Sequence, residues 1–492
     1  MAPDVLHAVD GHDLEQGGGA AAWGVVTVCA CGVFSSGAVS IRDAALFTDL
    51  YELTMAASYH REGMQEPATF SLFVRRLPPG RGFLVAAGLE AVLGYLESFE
   101  FSEDSLRYLH SLGLFPAGFL DFLADVRFTG TVRAVPEGTV IFEDEPLLEI
   151  TAPIIEAQLV ETAVMNLCHL ETVLASKAAR AVLAARGRPV VDFGLRRAHG
   201  LDAGTKAARC AYLAGAVMTS NVLAAMRYGL PPAGTMAHSY VSAFLREIDA
   251  FRAFARAFPD ATTLLLDTYD TLAAARKAVT VAREMEARGQ RLGAVRLDSG
   301  DIVALSRAVR GILDEAGLQY VRIFVSGGLD EHAIEEVLEA GAPVDAFGVG
   351  TRMDVSADAP YLDMAYKLVR YAGRDVLKLS PGKATWTGEK QVWRRRRADG
   401  TLDHDLLALR DEPAPAEAEP LLRTVMEGGR PVESPPPLSA IRERCARELA
   451  ALPVEVRRLR DPAPYPVRYG DRLLERQREL EAEVRARETA RS

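Results

Sequence analysis

Cysteine is scarce in this sequence. Five occur in 492 residues (Cys29, Cys31, Cys168, Cys210 and Cys445), and no two have the C-x-x-C spacing. An odd, scattered set excludes a disulfide framework and a zinc site, and it fits a reducing compartment, so the chain is expected to be cytoplasmic. An excess of positive charge is also missing: 56 basic residues face 67 acidic ones, for a net charge of -11. That balance argues against nucleic acid or an anionic membrane as partner, and an anionic small molecule would need a local cluster of Arg and backbone N–H groups. The basic run Arg394–Arg397 is accordingly read as a solvated face. Long apolar runs are lacking too. The one candidate, AAWGVVTVCACGVFSSGAVS at 21–40, follows Asp4, Asp10, Asp13 and Glu15, with no Lys or Arg before Arg42. A secretory signal needs a positive start, so residues 1–41 are read as a poorly ordered extension (an overlong translation start would look the same). Nothing else is apolar enough to span a membrane.

What is present is a globular chain, 49% hydrophobic and long enough for two or three cores. Residues 42–155 mix helices and strands. LYELTMAASYHREG has helical apolar spacing with Gly63 as its stop, TFSLFVRRL reads as a strand, and GLEAVLGYLESF as a helix. FTGTVRAVPEGTVIFEDEPLLEI reads as strands around a Pro136-Glu137-Gly138 turn. Residues 156–366 change rhythm. PVVDFGLRRAHG, AGTMAHSYVSAF, TTLLLDTYDTLAAARKAV, AVRLDSGDIVALSRAV, RIFVSGGLDEHAIEEVLEAG and DAFGVGTRMD each run from an apolar strand through a polar motif into a helix. This predicts a parallel α/β barrel, whose strand ends all face one mouth. Residues 367–492 are less regular: short strands, a Pro-rich linker at Ser434–Pro437, and a charged terminal helix.

The polar motifs carry the chemistry. Ser326-Gly327-Gly328 and Gly348-Val349-Gly350-Thr351 end successive strands and open helices, where backbone N–H groups can cradle a phosphate; two tight turns that bind nothing would look similar. Asp267-Thr268-Tyr269-Asp270 and Asp298-Ser299-Gly300-Asp301 bring carboxylates that can meet ribose hydroxyls, Mg²⁺ or a positive sugar-like transition state, with helix capping as the plain alternative. Arg196 and Arg197 beside Phe193 pair a guanidinium fork for a carboxylate or phosphate with an aromatic face for a flat ring; a surface ion pair is the alternative. His238 lies among small residues in Gly234–Ser239, and is either a general base or nucleophile or a structural histidine.

Taken in order, LFTDLYELTM, FGLRRA, MTSNVLA, GTMAHS, LLLDTYDT, VRLDSGD, VSGGLDE, FGVGT, YKLV and KLSPGK resemble the nicotinate phosphoribosyltransferase family over about residues 46–390. The resemblance implies the type II phosphoribosyltransferase fold: an irregular α/β barrel with a second α+β domain built from both chain ends. It implies transfer from phosphoribosyl pyrophosphate to nicotinate with Mg²⁺, on the way to NAD, coupled to ATP hydrolysis through a phosphohistidine that His238 matches. It also implies a homodimer with shared active sites, in which Tyr51 reaches the neighbour's ring pocket while Phe193 stacks on the pyridine beside Arg196. Arg296 and Asp298 match contacts to base and ribose, and Asp267 an acid near ribose and metal. Gly328, Gly348 and Gly350 match the 5′-phosphate cradle. Arg75, Lys367 and Lys383 are implied as pyrophosphate contacts. The nicotinamide enzyme of the same superfamily is the nearest alternative; it carries an Asp where this chain has Met218-Thr219-Ser220-Asn221, and Ser220 can donate to a carboxylate that an Asp would repel. A catalytically silent barrel that binds phosphorylated ligands is the reading from another class. A Schiff-base aldolase would want a Lys at a strand end, and none stands out.

Overall fold

The computed structural model describes residues 41–379 and 385–489. Lys383 and the segment read as an extension, up to residue 40, lie outside them.

A seven-stranded sheet joins the two ends of the chain. Pro67–Val74 pairs antiparallel with Pro146–Pro153 on one side and with Met364–Tyr371 on the other; Arg423–Glu427 pairs with Thr131–Ala134 further out. Every residue of Pro67–Val74 after the first is buried, which is why its apolar run is nearly continuous. The first helix, Leu50–Arg61, stops where expected, with Gly63 at φ +67°.

The second sheet has six parallel strands: β1 (Val190–Asp192), β2 (Met218–Thr219), β3 (Thr263–Leu265), β4 (Ala294–Leu297), β5 (Arg322–Val325) and β6 (Ala346–Val349). Their order is β2-β1-β6-β5-β4-β3. That is the cyclic order of an α/β barrel, with β6 beside β1 and a break between β2 and β3. Short apolar strands with Val, Leu and Ile line its interior, and helices such as Thr271–Glu286 and Ile302–Glu315 cover the outside with Ala-rich faces.

The break corrects one expectation. The repeating rhythm makes Gly234–Ala237 a strand of this barrel, but it is a loop leading to the short helix His238–Ser242. Pro231 and Pro232 precede it, and a proline cannot donate to a ladder. Among the described residues, a single bridge, Thr219 to Pro232, is all that forms on the side of β2 away from β1.

The 24-residue helix Glu161–Ala184 runs through both cores. It carries buried Lys177 and Arg180 against Glu331, with Nζ–Oε2 2.5 Å and Nε–Oε1 2.9 Å. Glu331 opens the helix behind the Ser326–Gly328 loop, so a charge cluster fixes that helix to the scaffold. Cys168, Cys210 and Cys445 are free and buried, and burial pushes the Cys445 thiol up to about 12.

The solvated reading of Arg394–Arg397 is wrong for its first member. Arg395 and Arg397 are exposed, but Arg394 is fully buried between Asp405 (2.5 Å) and Glu448 (2.6 Å), over the Phe142 ring. A strand alternates its faces, so a basic run along one buries every second residue. Arg394→Ala would leave the buried Asp405 carboxylate without its counter-charge and take one of two arginines from Glu448. It should lower unfolding stability by about 3–5 kcal/mol in urea, whereas a loss under about 0.5 kcal/mol, usual for an exposed residue, would contradict the burial.

Candidate active site

The carboxyl ends of the barrel strands open onto one cavity of about 540 Å³. β1 delivers Phe193, Arg196 and Arg197, β2 delivers Ser220, and the loop in the break delivers Thr235 and Met236. From the other side come Arg296 and Asp298 after β4, Ser326, Gly327 and Gly328 after β5, and Gly348, Gly350 and Thr351 from β6 and its turn. Eleven of the expected site residues thus meet although nearly 160 positions separate the first from the last.

Arg296 is the hub. Its guanidinium donates to the Thr235 hydroxyl (2.6 Å) and the Met236 carbonyl (3.3 Å), pairs with Asp298 (3.2 Å), and sits 5.8 Å from the centre of the Phe193 ring. Asp298 also accepts from the Ser326 hydroxyl. Burial raises its pKa, but the Ser326 bond and the Arg296 charge outweigh burial and leave it below the ordinary Asp value. It is therefore ionised at neutral pH. His238 stands at the rim, half exposed, with Nδ1 3.1 Å from the Thr268 hydroxyl and Nε2 3.9 Å from Asp298.

The two D-x-x-D motifs split into roles. Asp270 and Asp301 cap the helices that follow, accepting from Ala273 N–H and Ala304 N–H. Asp298 is left for the mouth. Asp267 stands behind the cavity wall: one carboxylate oxygen accepts from Asp298 N–H and the Ser299 hydroxyl, and the other is buried without a partner. The described residues hold no cluster of three His, Cys, Asp or Glu side chains, so a cation here would depend on one or two carboxylates and on substrate oxygens.

Two glycines are forced by close approach. At Gly327, with φ +93°, a Cβ would stand 1.8 Å from the Asp298 carbonyl oxygen. At Gly194 a Cβ would stand 2.1 Å from the Asp354 carboxyl. Asp354 is the residue that sequence reading missed. It lies buried under the Phe193–Arg197 turn, faces Asp192, and meets no donor. Asp192 already accepts from Gly194 N–H and the Thr219 hydroxyl. Two carboxyls share a hydrogen bond only if one holds a proton. Burial, then the Asp192 charge, pushes Asp354 well above the ordinary Asp range, so Asp354 carries that proton. The pair stitches the β1 turn to the Gly350–Asp354 turn. Only the quoted GVGTRMD hinted at it, and nothing there marks an Asp as buried.

The remaining expected residues do not reach this cavity. Tyr51, Arg75 and Lys367 line a separate cleft of about 420 Å³ with Glu161 and His169. There Arg75 pairs with Asp363 (2.9 Å), and Lys367 lies 3.9 Å from Glu161. Burial and the Glu161 carboxylate raise the Tyr51 hydroxyl above its usual value.

An irregular α/β barrel joined to a sheet built from both chain ends is the architecture of the type II phosphoribosyltransferases. Family models agree along the chain: the nicotinate phosphoribosyltransferase N-terminal domain matches 46–169, the family model 189–384 and the C-terminal domain 414–477. The chain belongs to the nicotinate phosphoribosyltransferase family. It is 54% identical to such an enzyme of Mycobacterium tuberculosis over 87% of this chain and 92% of that one, and 36% identical to one of Bacillus subtilis over 86% and 92%. The crystal structure of human nicotinic acid phosphoribosyltransferase superposes with a TM-score of 0.79 at 32% identity, covering 88% of this chain and 99% of that one. A Pyrococcus furiosus structure titled nicotinate-nucleotide pyrophosphorylase gives 0.70 at 26% identity, over 84% and 97%.

The Asp354 proton has a sign that can be measured. A carboxyl whose folded pKa is raised contributes stability fully below the ordinary Asp value, and loses it as pH climbs towards the folded pKa. Asp354→Asn keeps a donor for Asp192 without a titrating group. It should stabilise the protein at pH 8 relative to wild type. The gain should shrink towards pH 4. Melting curves from pH 4 to 9 check this, and an Asn variant that is less stable at pH 8 would contradict it.

Proposed function

We propose that the chain transfers the phosphoribosyl group of phosphoribosyl pyrophosphate to the ring nitrogen of nicotinate, yielding nicotinate mononucleotide and pyrophosphate for NAD salvage. The observation that carries this is the charge of the mouth. Among the described residues lining it, Arg196, Arg197 and Arg296 face a single carboxylate, Asp298. An acidic ring and a 5′-phosphate suit that balance, and Ser220, with no acid in Met218–Asn221, suits a carboxylate over an amide.

The chemistry breaks the C1′–O bond to pyrophosphate and forms C1′–N. Positive charge grows on the ribose ring, and the ionised Asp298 faces it. Phe193 offers its face to the pyridine, with Arg196 and Ser220 for the carboxylate and Arg296 at the base and ribose; fixed placement is most of the catalytic task because the ring nitrogen is already nucleophilic. The loops Ser326–Gly328 and Gly348–Thr351 take the 5′-phosphate. Mg²⁺ neutralises the leaving pyrophosphate when bound, and the unpartnered Asp267 oxygen fits a role in holding it. ATP enters through His238: with Nδ1–H donating to Thr268, the Nε2 lone pair bonds the γ-phosphorus, ADP leaves, and water later releases phosphate. Tyr51 serves a second copy's ring pocket from the separate cleft, which makes the enzyme a homodimer, and Arg75, Lys367 and Lys383 meet the pyrophosphate. The domain division follows: 42–155 and 367–492 pack together around the barrel of 156–366, in a cytoplasmic protein.

The test is product formation from phosphoribosyl pyrophosphate and Mg²⁺ with nicotinate or nicotinamide, each with and without ATP. Nicotinate mononucleotide should form and ATP should boost it. His238→Ala should lose the boost and keep slow turnover, and Asp298→Ala should lower kcat by about 10²–10³. Turnover of nicotinamide alone would overturn the pocket reading, and turnover of neither would favour a silent ligand-binding barrel.

A further inference from the structure

Far from the barrel mouth, the turn at 136–139, the strand Lys390–Arg396, the strand Ala418–Pro420 and the helix Leu438–Ala451 enclose a cleft of about 340 Å³. Four arginines line it: Arg396, Arg423, Arg444 and Arg447. Arg396 is neutralised by Glu419 and Glu448, and Glu448 is already engaged by Arg394 as well. Among the described residues, Arg423, Arg444 and Arg447 make no ion pair with an acid. In a chain of net charge -11, three guanidiniums crowded into a cleft whose own acids, Glu419 and Glu448, are already paired with Arg396 need a reason. The crowding is felt: burial, then the Arg423 and Arg447 charges, holds Arg444 below its ordinary pKa.

The cleft is built on fixed elements. Arg444 donates to the Glu137 carbonyl at 2.7 Å, and Glu137 is itself held by Arg209 at 2.7 Å. On the opposite flank of the same helix, Arg442 donates to the Tyr212 and Gly215 carbonyls at 2.7 and 2.8 Å and stacks over Tyr212. The arginines are thus presented by a helix anchored on two sides.

A second cavity of about 430 Å³ adjoins it and shares Pro136, Arg423 and Arg444. Its walls carry Leu89, Leu93, Val425, Val432 and Pro435 together with Glu433 and with Glu90 and Glu137, both of which are neutralised by Arg209. Arginine forks match phosphate oxygens two at a time, and an apolar slot suits a flat ring. We propose that this two-part cleft is a binding site for a nucleoside polyphosphate, separate from the catalytic mouth, with the phosphates on Arg423, Arg444 and Arg447 and the base in the adjoining groove.

Titration calorimetry with a non-hydrolysable ATP analogue and with inorganic tripolyphosphate tests it on the full-length enzyme. Wild type should show two classes of site for the analogue. Arg423→Ala with Arg447→Ala, both at exposed positions, should lose one class, or weaken it at least tenfold, for both probes, with the melting temperature and basal nicotinate turnover unchanged. Val432→Asp, also exposed, should weaken the analogue at that class and leave tripolyphosphate binding as it was. One class in wild type, or an unchanged second class in the arginine double variant, would overturn the site. An unchanged analogue affinity in Val432→Asp would overturn the placement of the base.

Discussion

The Arg296 guanidinium holds the mouth of this barrel together. The barrel is open between β2 and β3, and a proline-stiffened loop stands where a strand would close it. That loop has few ladder bonds of its own, so its position depends on side chains. Arg296 reaches across from β4 to bind Thr235 and Met236 within it, and the same guanidinium pairs with Asp298 and lies against Phe193. The loop leads directly into His238. One cation thus couples the histidine, the ionised carboxylate and the aromatic wall. It is largely buried, and both of its terminal nitrogens are engaged, by Thr235 and Met236 on one and by Asp298 on the other, which is the condition under which a buried charge stabilises.

The same economy recurs around the site. Glu331, at the root of the helix behind the Ser326–Gly328 loop, is met by Lys177 and Arg180 from the long helix. Asp192 and Asp354 share one proton beneath the Phe193–Arg197 turn. In each case a turn with few contacts of its own is pinned from below by a polar pair, and the residues facing the ligand are left with unspent hydrogen-bonding capacity. Placement within fractions of an ångström is what a nucleophile already competent for attack requires.

Much of this is legible in the sequence, because strand, motif and helix repeat in order. Five of the six parallel strands, the helix ending at Gly63 and the convergence of Phe193, Arg296, Asp298 and the two glycine turns follow from that periodicity and from the family resemblance. Three things are not legible. Apolar spacing alone makes Gly234–Ala237 a strand, and only the partner it lacks shows otherwise. Arg394 looks like its neighbours in sequence; the strand's alternation and two distant acids, Asp405 and Glu448, bury it. Asp354 sits in GVGTRMD with nothing local to mark a proton-sharing partner 162 positions earlier. Long-range pairing is invisible to spacing, and buried polar networks are made of it. The D-x-x-D motifs show the opposite lesson: the second aspartate of each caps a helix, while of the first two Asp298 lines the mouth and Asp267 holds Asp298 N–H from behind.

A crystal structure with nicotinate mononucleotide bound decides whether the converged mouth is a nucleotide-forming site. The 5′-phosphate should lie against Gly328 and Gly350, the pyridine on the Phe193 face with its carboxylate near Arg196 and Ser220, and the ribose beside Asp298. A nucleotide bound with its phosphate elsewhere, or with the ring away from Phe193, would contradict it.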